Sequence, residues 1–311
     1  KMIKKSSIRR ICVATLTLFI LLIIYFFPSN DTVIKEHLSY ITKEEMPIFL
    51  VDNKNYVART SIVKNSSETI EQTKEIIEAL TKNTKKSSYI RDGFKPIIPD
   101  GTKILDLKLE ENILTINFSK EFLNINESDE EKMIEAIIYS LTEIKDVKKI
   151  SIFVEGNKLI KLPNSNKKLP DYLDKTYGIN KIYNLDSLKE TTKTTIYYLS
   201  KNKDYYYYVP VTKVSNEKTE RVEIIIKELK STPIYHTNLI SYLAASANIT
   251  SYELLENTIS LSFNNYLIAN MKEEDILEEV KYSIALSIRD TYGINEVIFN
   301  IPDTENTKIS I

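Results

Sequence analysis

Residues 111–118 read Glu-Asn-Ile-Leu-Thr-Ile-Asn-Phe, and 145 positions later residues 256–263 read Glu-Asn-Thr-Ile-Ser-Leu-Ser-Phe. The match runs without a gap back to Ile104 and Ile249. Downstream, Ser140, Ile150, Ile152 and Val154 fall on Ser287, Val297, Phe299 and Ile301, 147 positions on. A chain that carries one apolar pattern twice is constrained to build the same interior twice. Burying a Val, Leu or Ile side chain contributes about 1.5–3 kcal/mol, so retaining those positions retains the fold while surfaces diverge.

Composition bounds what surrounds that repeat. Beyond the N-terminal segment about 265 residues remain, and at roughly 100–200 residues per domain this predicts two domains. Apolar residues at 42% and charged residues at 27% are ordinary for a folded chain, and 5 glycines are too few for a flexible or fibrous one. Lys and Arg number 42 against 43 Asp and Glu, so no long-range field favours nucleic acid. The single cysteine, Cys12, excludes an intramolecular disulfide framework and a cysteine metal site.

Lys1, Lys4, Lys5, Arg9 and Arg10 precede an apolar run over residues 11–27. As a helix that run would span about 25 Å at ~1.5 Å per residue, just enough for a bilayer. The basic flank predicts a single-pass anchor with residues 1–10 in the cytoplasm and the body of the chain extracytoplasmic at the cell membrane. A cleaved signal peptide is the competing reading, but bulky Ile24, Tyr25, Phe26 and Phe27 run into Pro28 where a small-residue cleavage site is needed. Residues 28–46 then read as a polar stalk.

The first module, residues 47–162, opens with extended runs over 48–51 and 56–62 around the turn signal Asp52-Asn53-Lys54-Asn55. Ile70, Ile76, Ile77 and Leu80 fall at helical spacing behind Asn65, Ser66 and Ser67, which can cap the first free amides. Pro99, Asp100 and Gly101 turn the chain into Leu105, Leu107 and Leu109, which alternate with charged residues as in a half-buried strand. Leu114, Ile116 and Phe118 alternate again. Ser128 with Glu131 forms a capping-box pattern ahead of Met133, Ile137 and Leu141 on one helix face, and Ile150, Ile152 and Val154 make a closing strand. The module reads as a small mixed sheet of β-β-α-β-β-α-β order with helices packed on it, an α/β (α+β) fold. Residues 195–311 repeat that order, with Val280, Ile284 and Ile288 in the places of Met133, Ile137 and Leu141.

Between them, residues 163–194 contain Asp174-Lys175-Thr176-Tyr177-Gly178-Ile179-Asn180, an echo of Asp290-Thr291-Tyr292-Gly293-Ile294-Asn295. Gly178 can end a short helix as Gly293 does, the alternative being an irregular linker. An ordered connection would limit swing between two compact bodies.

Pro99-Asp100-Gly101-Thr102, the strand over 114–118, and Tyr139-Ser140-Leu141-Thr142-Glu143-Ile144 leading to Val147-Lys148-Lys149-Ile150 and Glu155-Gly156 resemble the GerM-domain family. The resemblance covers most of residues 47–162 and, more faintly, 195–303, and extends to the tandem arrangement. It implies an extracytoplasmic sporulation and germination protein of endospore-forming Firmicutes, built on α/β modules similar to ring-building modules. Such modules assemble around the developing forespore. The implied partners are copies of the chain or sporulation membrane-complex proteins. The family includes lipoproteins, whereas Cys12 sits at the start of the apolar run and a transmembrane anchor takes that role here.

Residues able to do chemistry are sparse. His37 and His236 are isolated, and no Gly-x-Ser-x-Gly or Ser-x-x-Lys pattern supplies a nucleophile. Glu110 with Glu111, and Glu273 with Glu274, could divide acid and base roles in glycan cleavage, but they fall in a turn and at a helix start, where solvation explains them. The expectation is a non-enzyme with no catalytic, cofactor-binding or metal-binding residues. Tyr205, Tyr206, Tyr207 and Tyr208 are the most conspicuous local feature. They read either as a strand with one packed and one exposed face or as a partner-binding edge, and Tyr197 and Tyr198 carry the same ambiguity. The reading is a membrane-anchored scaffold. The alternative is a cell-wall or germinant-associated module that binds peptidoglycan or regulates an enzyme acting on it.

Overall fold

A computed structural model describes residues 15–19, 44–203, 205–231, 238–267 and 276–311. Residues 15–19 are helical, and among the described residues no helix is long and apolar enough to cross a membrane. The rest of the expected anchor over 11–27, its basic flank, most of the stalk, Cys12 and His37 lie outside the described residues. The chain divides into two compact units, 1–42 and 43–311, and the second contains both repeats.

In the first repeat the order is β1 (Glu45–Asp52), β2 (Val57–Val63), α1 (Thr69–Leu80), β3 (Phe94–Lys95), β4 (Ile104–Glu110), β5 (Ile113–Phe118), α2 (Glu127–Leu141), β6 (Lys149–Val154) and β7 (Asn157–Lys158). A short strand β8 (Ile182–Asn184) leads into the second: β9 (Thr192–Asn202), β10 (Tyr205–Ser215), α3 (Arg221–Lys230), β11 (Ile249–Leu254), β12 (Thr258–Phe263), α4 (Glu278–Tyr292), β13 (Glu296–Asn300) and β14 (Thr307–Ser310). The expected order is present twice, with short extra strands. Each repeat divides its strands between two sheets where one was expected: β2-β1-β3 and β4-β5-β6-β7 in the first, β8-β10-β9 and β11-β12-β13-β14 in the second.

The four-stranded sheets are mixed because a helix separates their middle strands. β4 and β5 form an antiparallel hairpin, whereas β5 and β6, joined through α2, are parallel with Leu114 opposite Ile150 and Ile116 opposite Ile152. β12 and β13 repeat this, with Ile259 opposite Val297 and Leu261 opposite Phe299. All eight side chains are buried. The one-in-two pattern of β5 and β12 turns those residues inward, into the same buried cluster as Met133, Ile137 and Leu141 of α2 and Val280, Ile284 and Ile288 of α4.

Three local expectations fail for identifiable reasons. Leu105 is 50% exposed because a β-bulge between Ile104 and Asp106 takes it out of register, and the same bulge recurs between Ile249 and Ser251. Ser128 and Glu131 form no capping box. Helix α2 begins two residues earlier behind Asn126, and Glu130 and Glu131 turn towards the connector, where Glu130 accepts from the Asn164 and Ser165 amides and Glu131 pairs with Lys167 and Lys181. Helix α1 starts behind Glu68 with no side-chain cap, and the Ser66 hydroxyl accepts from the Glu68 amide instead.

Gly178 does end a helix, a single 3-10 turn over Lys175–Tyr177 whose first residue follows Asp174, the acceptor for the Thr176 amide. With φ of 84° Gly178 occupies a conformation costly to residues with a Cβ.

Candidate interaction surface at the junction of the repeats

The repeats share one interior. A single cluster of buried apolar side chains runs from Met46 through Ile309. The expectation of two separate bodies gives way to one compact unit, because the connector is itself packed and hydrogen-bonded into both halves.

Asn180 shows how. Its carboxamide oxygen accepts from the Val57 amide at 2.9 Å, and its nitrogen donates to the carbonyls of Val57 and Pro210, both at 2.7 Å. One side chain thus occupies the place of a strand between β2 and β10, at a point where Pro210 has no amide to offer. Beside it, Ile179 and Thr212 are joined through the Thr212 hydroxyl and amide. The Asn180 amide donates to Glu135, which also pairs with Lys181 at 2.6 Å. Burial pushes the Glu135 carboxyl above its ordinary range despite Lys181.

Deeper in the junction four charges meet. Glu143, just past α2, and Asp290, in the last turn of α4, stand 147 positions apart and are equivalent in the repeat. Lys175 of the connector lies 2.7 Å from each carboxylate. Arg289 grips Glu143 with both terminal nitrogens, at 3.0 and 2.7 Å, and reaches Asp290 through Nε at 2.9 Å. The Tyr197 hydroxyl completes Asp290, whose side chain is 0% exposed. Burial alone would raise both carboxyls, but the two cations more than offset it and hold both below the usual range. Burial and the Asp290 charge push Tyr197 upward, so it stays a hydroxyl donor.

The tyrosine run resolves by alternation, with a specific partner for its packed face. Tyr207 donates to Asp52 at 2.7 Å and meets the ring of Phe94 edge-on at 5.0 Å. Tyr205 lies beneath the Arg91 guanidinium, 3.8 Å from the ring centroid, and donates to the Asp92 carbonyl. Those contacts are to the first repeat. Tyr206 points outward, 39% exposed, and its hydroxyl accepts from Tyr242, 41% exposed, at 2.9 Å. Tyr197 and Tyr198 are both buried.

Glu110 and Glu111 sit in the β4–β5 turn, where Glu111 and Asn112 have φ of 48° and 64°, the signature of a tight hairpin, and Glu110 pairs with exposed Lys108. Both line an open groove with Lys158 and Tyr172. Glu273, Glu274 and His236 lie outside the described residues. Among the described residues no group of His, Cys, Asp or Glu could hold a metal ion. The sequence reading missed Asn180 and the Glu143–Asp290 pair. The repeated Tyr-Gly-Ile-Asn string and the 147-position offset are the signals that point to them.

Known proteins share this architecture. A family model described as Germane, sporulation and spore germination, matches residues 25–160. The chain is 27% identical over 274 residues to the spore germination protein GerM of Bacillus subtilis (strain 168), covering 86% of this chain and 74% of that protein. The structure of the tandem GerMN domains of the sporulation protein GerM from Bacillus subtilis superposes with a TM-score of 0.76 at 24% identity, covering 85% of this chain and 92% of that one.

Proposed function

We propose that this chain, similar to GerM-domain proteins, acts in spore formation and germination as a non-enzymatic scaffold, held at the cell membrane by residues 11–27 with both repeats outside the cytoplasm. The observation that carries the reading is similarity to a spore germination protein across both repeats, which extends beyond the one repeat matched by the family model. The relatives' names describe sporulation and carry no reaction. The buried charges support the same reading: Glu143, Asp290, Lys175 and Arg289 satisfy one another, as suits a rigid junction.

A scaffold of this kind offers surfaces to copies of itself or to sporulation-complex proteins. Anchoring confines both partners to two dimensions, so modest contacts suffice. The test is a functional fluorescent fusion followed through sporulation beside a deletion strain. The expected result is enrichment at the membranes around the developing spore and a sporulation or germination defect. Uniform vegetative localisation with no developmental defect would overturn the assignment. Retention on peptidoglycan without association with sporulation membrane proteins would instead favour a wall-binding module.

A further inference from the structure

Charge does not balance at the junction. Glu143 and Asp290 bring two negative charges, and Lys175 and Arg289 bring two positive ones. Arg59 of β2 is a third cation, close enough for its charge to favour ionised Glu143. Yet among the described residues it forms no ion pair and donates no hydrogen bond, and its Nε is sealed from solvent. A buried donor left unpaired costs about 1–3 kcal/mol, more when charged, and each such group in a native structure calls for a water, an ion or a partner group to complete it.

Arg59 lines a groove of about 290 Å³ between Thr60 and Ser61 of β2, Arg91, and the Tyr205–Tyr208 run of β10. That volume lies at the small end for a ligand site and suits one side chain. Glu45 also lines the groove, with its carboxylate accepting from Ser61 at 2.5 Å. Two arginines against that one acid line the groove, while Glu278 and Glu279 lie beyond it near Tyr208. Its rim is aromatic: Tyr206 and Tyr242 stand exposed and edge-to-face at 5.9 Å, and Tyr282, 36% exposed, lies near Tyr208. Arginine with tyrosine is the composition that dominates binding energy at protein interfaces.

We propose that this groove is the docking site for an acidic segment of a partner protein, one Asp or Glu carboxylate entering to pair with Arg59 while the flanking chain lies on the exposed tyrosines. A planar guanidinium takes a carboxylate in bidentate fashion, which a lysine at this position would not. The partner assignment rests on the scaffold reading.

Fluorescein-labelled heptaglutamate, titrated by anisotropy against the detergent-solubilised 311-residue chain at about 0.1 M salt, tests the site. Saturable binding of heptaglutamate over heptaglutamine is expected. Arg59→Gln should weaken it roughly tenfold or more, Arg91→Gln and Arg59→Lys less, and exposed Lys218→Gln not at all. Arg59→Lys keeps the charge and serves if Arg59→Gln does not fold. Equal affinity for the two peptides, or an Arg59→Gln variant that binds as well as wild type, would overturn the proposal. So would tighter Arg59-dependent binding of soluble muropeptides or inorganic phosphate than of the peptide. A photo-cross-linking residue at Tyr206 in sporulating cells separates this site from the broader reading. Protein cross-links at Leu188 but not at 206 sink the groove and leave the scaffold. Arg59-dependent peptide binding with no cross-links at either position keeps the groove and sinks the scaffold.

Discussion

In the first repeat the hydroxyl of Ser140 on α2 accepts the Phe49 amide of β1 at 2.8 Å, and in the second the hydroxyl of Ser287 on α4 accepts the Tyr197 amide of β9 at the same distance. The two serines align in the sequence, and their shared task is to satisfy a buried strand amide that has no neighbouring strand to bond. What the repeats keep in common is therefore the interior and its hydrogen-bond debts. What they vary is how each helix ends and what the ends face. Helix α2 stops at Leu141 with Thr142 in helical conformation, whereas α4 runs to Tyr292 and closes on left-handed Gly293. Asp290 thus lies inside its helix and Glu143 just beyond its own, and the unequal pair meets at one set of cations.

The largest expected effect breaks that pair. Removing one partner of a buried ion network costs about 3–5 kcal/mol, and Asp290→Ala is expected to exceed Glu143→Ala because Asp290 is more deeply buried and also holds Tyr197. Urea melts of both variants check this. Equal losses would mean that the two acids are interchangeable despite their different helix positions.

Acid should act on the same pair. Both carboxyls are held below the unfolded range near 4, so the stability they contribute is complete above about pH 5 and falls as pH drops through 4 and lower. Melting temperature followed from pH 6 to 3 should therefore decline less steeply in a Glu143→Gln, Asp290→Asn double variant. An unchanged slope would place the acid sensitivity elsewhere.

Next comes the contact between the first repeat and the β9–β10 turn. Gly93 has φ of 95°, and a Cβ there would lie 1.9 Å from the Asn202 side-chain nitrogen. Gly93→Ala should destabilise by about 1–3 kcal/mol through left-handed strain and displacement of Asn202, lowering hydrogen-exchange protection in both repeats. Protection lost in the first repeat alone would show that the halves are not coupled there. Smallest are Ser140→Ala and Ser287→Ala, about 1–2 kcal/mol each for a buried amide left without its acceptor, measured by thermal melts. A cost at one serine only would show that the repeats have parted in this bond.

Apolar periodicity made the strands, the crossover helices and the duplication legible, because side chains such as Ile116 and Leu261 must turn inward whatever surrounds them. The division of each repeat into two sheets was not legible, since strand order depends on non-local pairing that residues 45–63 do not encode alone. Leu105 misled for a related reason: a bulge is a backbone event, although polar Thr250 at the equivalent position was a clue. The junction hid behind ordinary residues. Asn180 reads as a turn residue, and Glu143 and Arg289 as surface charges, until the connector brings them together. The tyrosine run posed two alternatives, and the structure shows the strand with one packed and one exposed face, Tyr205 and Tyr207 against the first repeat and Tyr206 outward.

The central claim is that both repeats and their connector form one cooperative body. Native-state hydrogen exchange across a urea series tests it most directly, read at the Phe49 and Tyr197 amides, which occupy equivalent places in the two halves. The account predicts that both amides merge into one global unfolding isotherm with the same free energy and the same denaturant dependence. Exchange of Tyr197 through a lower-energy opening while Phe49 stays protected, or the reverse, would show two independent domains and contradict it.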